Sequence, residues 1–192
     1  MRIAGTDRAL SFAEVAAHPR ATPEKLTAAN EFGNEPPTFP NGAHVAEVEV
    51  DPATGKVAIL NYVVVDDFGA TLNPLLLEGQ VHGGSVQGLG QALMEETVYD
   101  AASGQLLSAS LMDYALPRAA DAPHFTFETR NVPCKTNPLG VKGAGEAGAI
   151  GSCPALINAV ADALWRAHGI AHIDMPATPP RIWAAMQEAR AR

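Results

Sequence analysis

Glu146 is the one acid in a glycine-rich stretch, Gly140-Val141-Lys142-Gly143-Ala144-Gly145-Glu146-Ala147-Gly148-Ala149-Ile150-Gly151-Ser152. Each glycine in a regular element costs roughly 0.5–1 kcal/mol relative to alanine. Glycines at 140, 143, 145, 148 and 151 therefore suit a backbone that passes close to another surface or takes positive φ. An apolar run from Pro154 to Leu164 follows. This puts the Glu146 carboxylate near a helix start, where exposed N–H groups and the helix dipole favour negative charge. Two readings are open: a carboxylate that handles a proton, and one that only decorates a helix N-terminus.

A second set of polar groups lies upstream. Gln80 and Gln87 are seven residues apart, on one face of a candidate helix. Glycines 79, 83, 84 and 88 of the same helix share a side, and Gly90 follows. A bare backbone stripe lets another helix or a ligand approach closely. The histidines (18, 44, 82, 124, 168 and 172) are scattered and read as structural or surface residues. Cys134 and Cys153 lack CxxC spacing and read as free thiols. No His/Cys cluster has metal-ligand spacing.

The elements that must position these groups are legible in part. Ser11, with Glu14 three residues on, has capping-box spacing for a short helix over 9–17. Residues 18–42 carry five prolines and read as an extended surface segment. Residues 43–50 alternate, with His44, Ala46, Val48 and Val50 on the more apolar face. Asp51-Pro52-Ala53-Thr54-Gly55 is a turn. Residues 56–66 are rich in β-branched residues, so 43–66 is a hairpin whose second strand is covered on both faces. Asn73-Pro74 caps and opens a long helix, about 74–97. Residues 123–131 alternate as a third strand. A second long helix runs from about 154 to 168, with Gly169 as its C-cap. Residues 171–174 read as a short strand. A last helix over 181–190 presents Ile182, Trp183 and Met186 inward. The predicted fold is α+β: a mixed or antiparallel sheet built on the hairpin and packed by the two long helices. Residues 1–42 form an N-terminal extended segment with a short helix, and 43–192 the main body.

Composition narrows the function. The chain has 192 residues, 47% of them hydrophobic, which suffices for a core. A net charge of −8 argues against nucleic-acid binding. No uninterrupted run of about 18 apolar residues occurs, so no membrane span is expected. The first residues lack an apolar signal region, so export is not indicated. Gly143-Ala144-Gly145-Glu146-Ala147-Gly148 falls short of a dinucleotide fingerprint, because no strand precedes it.

Taken in order, Asp66-Asp67-Phe68-Gly69, Leu72-Asn73-Pro74, Glu78 through Gly90, and Asn137 through Gly148 resemble a known family. They are similar to the C-terminal end of the molybdopterin-binding large subunit of the xanthine dehydrogenase / aldehyde oxidase / carbon monoxide dehydrogenase family. The resemblance implies oxidative hydroxylation of an aldehyde, N-heterocycle or similar small substrate, with water as oxygen source. It implies that Glu146 is the general base, a role suited to a carboxylate in a dry pocket with a raised pKa. It implies that Gln80 hydrogen-bonds the cofactor and that Lys142, Gly143, Ala144 and Gly145 bring backbone near it. It further implies a molybdopterin-type molybdenum cofactor, iron–sulfur and FAD carriers on partner subunits, and a cytoplasmic setting. Large subunits of the family are several times longer than this chain. The expectation is thus a fragment or split subunit that carries the base and one wall of a site, completed by the rest of the large subunit and inactive alone. The alternative is a non-catalytic interaction or scaffold domain that kept the fold without binding cofactor.

Overall fold

Two runs of alternating and β-branched residues pair as predicted. Asn41–Val50 (β1) and Val57–Asp67 (β2) form an antiparallel hairpin, with a bulge between Glu47 and Val48. Phe125–Thr129 (β3) adds to β2 in parallel, giving a three-stranded mixed sheet of order β1-β2-β3. A computed structural model describes residues 1–31, 33 and 37–191. Among them are five helices: Phe12–Ala16 (α1), Pro23–Leu26 (α2), Pro74–Leu93 (α3), Ala147–His168 (α4) and Pro179–Arg190 (α5).

The chain divides into two units, Met1–Glu35 and Pro36–Arg192. In the first, Ser11 and Glu14 form the reciprocal capping box at the start of α1. The proline-rich segment holds one short helix, α2, opened by Pro23, that its composition did not announce. Phe32, Asn34, Glu35 and Pro36 of that segment lie outside the described residues.

The second unit is a two-layer structure. His44, Ala46, Val48 and Val50 turn inward from β1, as their alternation predicted. On β2 the alternation persists to Leu60, which is exposed. Only from Tyr62 onward, the stretch that also pairs with β3, are successive side chains buried or half-buried on both faces. Tyr62, Val64 and Phe68 join Val81, Leu89 and Leu93 of α3, Leu156, Val160 and Leu164 of α4, and Ile182 and Met186 of α5 in one core. Aromatic edges close the layer: Tyr62 meets Phe125 at 5.2 Å, and His82 of α3 stacks on Phe125 at 5.0 Å between ring centroids.

Several boundaries differ from the sequence reading, each for a packing reason. α3 ends at Leu93 rather than near 97, where the Gly90 carbonyl accepts the N–H of both Met94 and Glu95. α4 starts at Ala147, not at Pro154, and carries that proline in its interior. Tertiary contact overrides propensity here. Gly148 is buried against the carbonyl of Val81 and the amide of Ser85 on α3, which draws the glycine-rich chain into the helix. By length and composition α4 could cross a membrane, but Leu156, Val160 and Leu164 on its inner face are core residues. Residues 171–174 form no strand. Trp183 is partly exposed at the rim, while Ile182 and Met186 face inward.

The glycines of α3 also divide. A Cβ on Gly84 would press on the backbone of Gly148 and Ala149, and one on Gly88 would collide with Ser152 Oγ. A Cβ on Gly79 or Gly83 meets nothing within 4 Å. Gly148→Ala should therefore destabilise the chain by about 1–3 kcal/mol, because the groups it strikes are backbone. Gly83→Ala should stabilise it by up to about 1 kcal/mol. Thermal denaturation of the two variants beside the parent checks both signs.

Candidate active site

Glu146 stands at the N-cap of α4, yet its carboxylate accepts no capping hydrogen bond. The helix is closed instead through main chain, with the Ile150 amide donating to the Glu146 carbonyl at 3.0 Å. The side chain is thus free of the structural duty that a helix-start acid often has. Glu146 is solvent-exposed, not enclosed in a dry pocket as the sequence suggested. No described residue of this chain closes over it. It opens onto a cavity of about 420 Å³ lined by Gly42, His44, Asp66, Gly143, Gly145 and Gly151, among others.

Gln80 lies next to it. Its Nε2 donates to the Gly145 carbonyl at 2.9 Å, which ties the second turn of α3 to the residue before Glu146. Gln87 is exposed and takes no part in this contact. The loop leading to Glu146 is also pinned through its own amides. The Lys142 amide donates to the Phe68 carbonyl at 2.8 Å, and the Gly143 amide to Thr38 Oγ1 at 3.2 Å. Among the described residues nothing accepts from the amides of Ala144, Gly145 or Glu146. A Cβ on Gly143 or Gly145 would meet open space. Consecutive unpaired amides beside bare glycines leave donors available to an oxygen-rich or anionic group. A phosphate- and oxo-bearing cofactor fits that donor set.

The Lys142 side chain turns away from this loop. Its Nζ is 2.5 Å from Asp67 Oδ2, and both side chains are largely buried. Asp67 also accepts from the amides of Gly69 at 2.9 Å and Val132 at 3.0 Å. Burial raises the Asp67 carboxyl, but the hydrogen bond from Lys142, those two amides and the Lys142 charge outweigh it and hold the group down to about 2. The pair staples the end of β2 to the glycine loop, seventy-five residues on. Gly69, at φ +66°, passes against Gly140 where a side chain would strike the Gly140 carbonyl.

Sequence reasoning quoted Asp66 and Asp67 only within a motif and His44 only as an inward-facing position, and gave none of the three a role. The signal was present: two acids end a β-branched strand, and His44 shares the inward register of Ala46 and Val48. Asp66 is buried, and so is the His44 ring, whose Nε2 lies 3.6 Å from Asp66 Oδ1. Cys134 and Cys153 are both free, and no described group of His, Cys, Asp or Glu residues could hold a metal ion.

Residues 1–123 match the family model of the molybdopterin cofactor-binding domain, a span that includes Gln80 but not Glu146. The carbon monoxide dehydrogenase large chain of Hydrogenophaga pseudoflava is 39% identical over 157 residues, covering 80% of this chain and 19% of that protein. The 6-hydroxypseudooxynicotine dehydrogenase complex subunit gamma of Paenarthrobacter nicotinovorans is 36% identical over 194 residues, covering 97% of this chain and 24% of that one. Among solved structures, a Cu,Mo-CO dehydrogenase superposes with a TM-score of 0.75 at 34% identity over 79% of this chain and 19% of its own. Quinoline 2-oxidoreductase from Pseudomonas putida 86 does so with a TM-score of 0.74 at 38% identity, over 78% and 19%. The chain spans about a fifth to a quarter of the length of these relatives.

The ion pair yields a pH prediction. A depressed carboxyl contributes stability that is present above its unfolded value, near 3.9, and lost as pH falls through the folded value of about 2. Lys142→Met leaves Asp67 buried without its cation, so its carboxyl rises back toward its unfolded value and the variant loses less stability on acidification than the parent. The variant should also lose about 3 kcal/mol at neutral pH, as expected for a broken buried pair. Acid titration followed by circular dichroism, with urea melts at pH 7, checks both.

Proposed function

The chain belongs to the molybdopterin cofactor-binding domain family, and from that premise we propose that it is the base-bearing portion of a molybdenum hydroxylase large subunit. When bound, the cofactor would supply the redox centre at which a small substrate is hydroxylated with oxygen from water. Residues of this chain would hold it: Gln80 by its side-chain amide, and Ala144, Gly145 and Glu146 by backbone N–H. Lys142 and Gly143 would fix that loop through their own bonds to Asp67, Phe68 and Thr38. The Glu146 carboxylate accepts the proton at its Oε atoms, as a general base must from within hydrogen-bond reach.

The observation that carries this reading is a carboxylate at a helix start that caps nothing, beside three unpaired amides and a glutamine tied to the same loop. The openness of the site fits a partner. Leu72, Leu75, Leu76 and Leu139, on the elements beside the loop, are exposed apolar side chains. The rest of the large subunit would cover them and enclose Glu146, which would provide the dry surroundings that raise a carboxylate toward working pH. The C-terminal place of the chain in that subunit is part of the proposal and rests on the order of the motifs. So are aldehydes or N-heterocycles as substrates. Iron–sulfur and FAD carriers would lie on partner subunits, since two isolated cysteines cannot supply a four-thiolate cluster. Free thiols suit the reducing cytoplasm in which we place the protein.

Co-expression with a large-subunit portion that contains the remaining pocket is the test. Molybdenum should be retained by the complex and be absent from the chain purified alone. In the complex, Glu146→Gln should keep the metal and lower turnover by about 10²–10⁴-fold. No metal in either sample would favour the scaffold reading, and full turnover in the variant would remove Glu146 from the role of base.

A further inference from the structure

β1 is an edge strand. In the order β1-β2-β3 it has β2 on one side and, among the described residues, no strand on the other. Along an antiparallel strand the main-chain groups point alternately to one edge and the other, so half of those on β1 face away from β2. Among the described residues, the main chain of 41–50 hydrogen-bonds to β2 and to nothing else.

Such an edge is a template for another extended chain, and proteins commonly blunt it with a short strand, a lysine, a proline or a bulge. β1 has none of these. It runs for 10 residues, about twice the usual length of a strand. Neither lysine nor proline lies within it. The bulge of the hairpin leaves this edge regular: Glu47 pairs with Asn61 and Val48 with Ile59, so the extra residue is Leu60 of β2. The opposite edge, β3, has only 5 residues and begins two positions after Pro123.

The long edge starts at the candidate site. Asn41 and Gly42 line the cavity onto which Glu146 opens, and Ile150 of α4, 69% exposed, lines it too. The chain is about a fifth as long as its carbon monoxide dehydrogenase relative, and in the function proposed above the missing walls of that cavity come from the rest of the large subunit. A segment paired with β1 would run along 41–50 and meet the cavity mouth at one end.

The strand it joins also sets its chemistry. Side chains alternate between the two faces of a sheet. His44, Ala46, Val48 and Val50 are half-buried on the α4 side, while Ala43, Val45, Glu47 and Glu49 are exposed on the other. Glu47 accepts from Asn61 Nδ2, and Glu49 has no side-chain partner among the described residues. Opposite charges facing each other across strands are favourable. The fitting occupant carries apolar, β-branched residues toward α4 and lysine or arginine beside Glu49.

We infer that β1 is the docking edge for an extended segment of the rest of the large subunit. Main-chain hydrogen bonds along 41–50 supply the affinity, and alternate side chains supply the register. The inference rests on the large-subunit reading, and its test separates the two.

The test compares the 192-residue chain alone with its co-expressed complex with the remaining large-subunit portion. The readout is amide hydrogen exchange over 41–50. In the chain alone, the outward amides should exchange at least about tenfold faster than the neighbours bonded to β2. In the complex those same amides should slow by about a hundredfold or more. Proline at two adjacent positions adds a second measurement, because Val45→Pro and Ala46→Pro remove donors that point to opposite edges. The variant that loses the outward donor should melt closer to the parent, yet bind the remaining portion about tenfold more weakly. If neither variant folds, exchange in the parent chain decides. A complex that retains molybdenum while the outward amides stay fast, or protects β3 and not β1, overturns the inference and leaves the large-subunit reading standing. Protection that rises with concentration in the chain alone, with a dimer in sedimentation, gives the edge to a second copy and overturns it as well. Absence of any complex removes the large-subunit reading and this inference with it.

Discussion

The main chains of α3 and α4 approach so closely where they cross that a side chain at Gly84, Gly88 or Gly148 would collide with the facing helix. Gly84 and Gly88 on one helix face Gly148, Ala149 and Ser152 on the other. At Gly84 and Gly148 the contact is backbone to backbone, and at Gly88 the Ser152 hydroxyl fills the gap, so its tolerance is small. It fixes where α4 begins and therefore where Glu146 is presented. It also sets Gln80 of α3 against Gly145, the residue before Glu146. Both polar groups of the candidate site thus take their positions from one glycine-lined crossing.

The sheet contributes the second constraint. β2 ends in Asp66 and Asp67, and the period of two sends these neighbouring acids to opposite sides. Asp67 meets Lys142 and two amides and anchors the glycine loop. Asp66 turns to the helix side, where His44 waits on β1. Adjacent residues of one type therefore do different work: one ties the loop to the sheet, and the other shares a cavity with Glu146. Burial gives each of these groups its weight, since the same carboxylates on an open surface would contribute little.

The open side of the site has a simple physical meaning. Apolar side chains remain uncovered at the start of α3 and on the loop before Val141, beside a carboxylate that caps nothing. A chain about a fifth as long as its carbon monoxide dehydrogenase relative can carry one wall of a pocket while other walls come from elsewhere. The family membership and the exposed wall are mutually consistent, and the reaction proposed for the assembled protein follows from their combination.

Local chemistry by itself determined much of this. The hairpin, its inward face, the Asn73 cap of α3, the capping box at Ser11 and the Gly169 stop of α4 each depend on residues close in sequence. Local chemistry left Glu146 and Gln80 open to a purely structural reading, and it was the resemblance of their motifs to the family's that marked them as site residues. Only the tertiary structure decided the start of α4, which packing against Val81 and Ser85 moved seven residues ahead of Pro154. It also decided which α3 glycines face a helix and which face open space. It revealed His44, Asp66 and Asp67 as a buried polar layer beneath the site. Those residues act across separations of about twenty to seventy-five positions, and no local pattern specifies a partner at that distance.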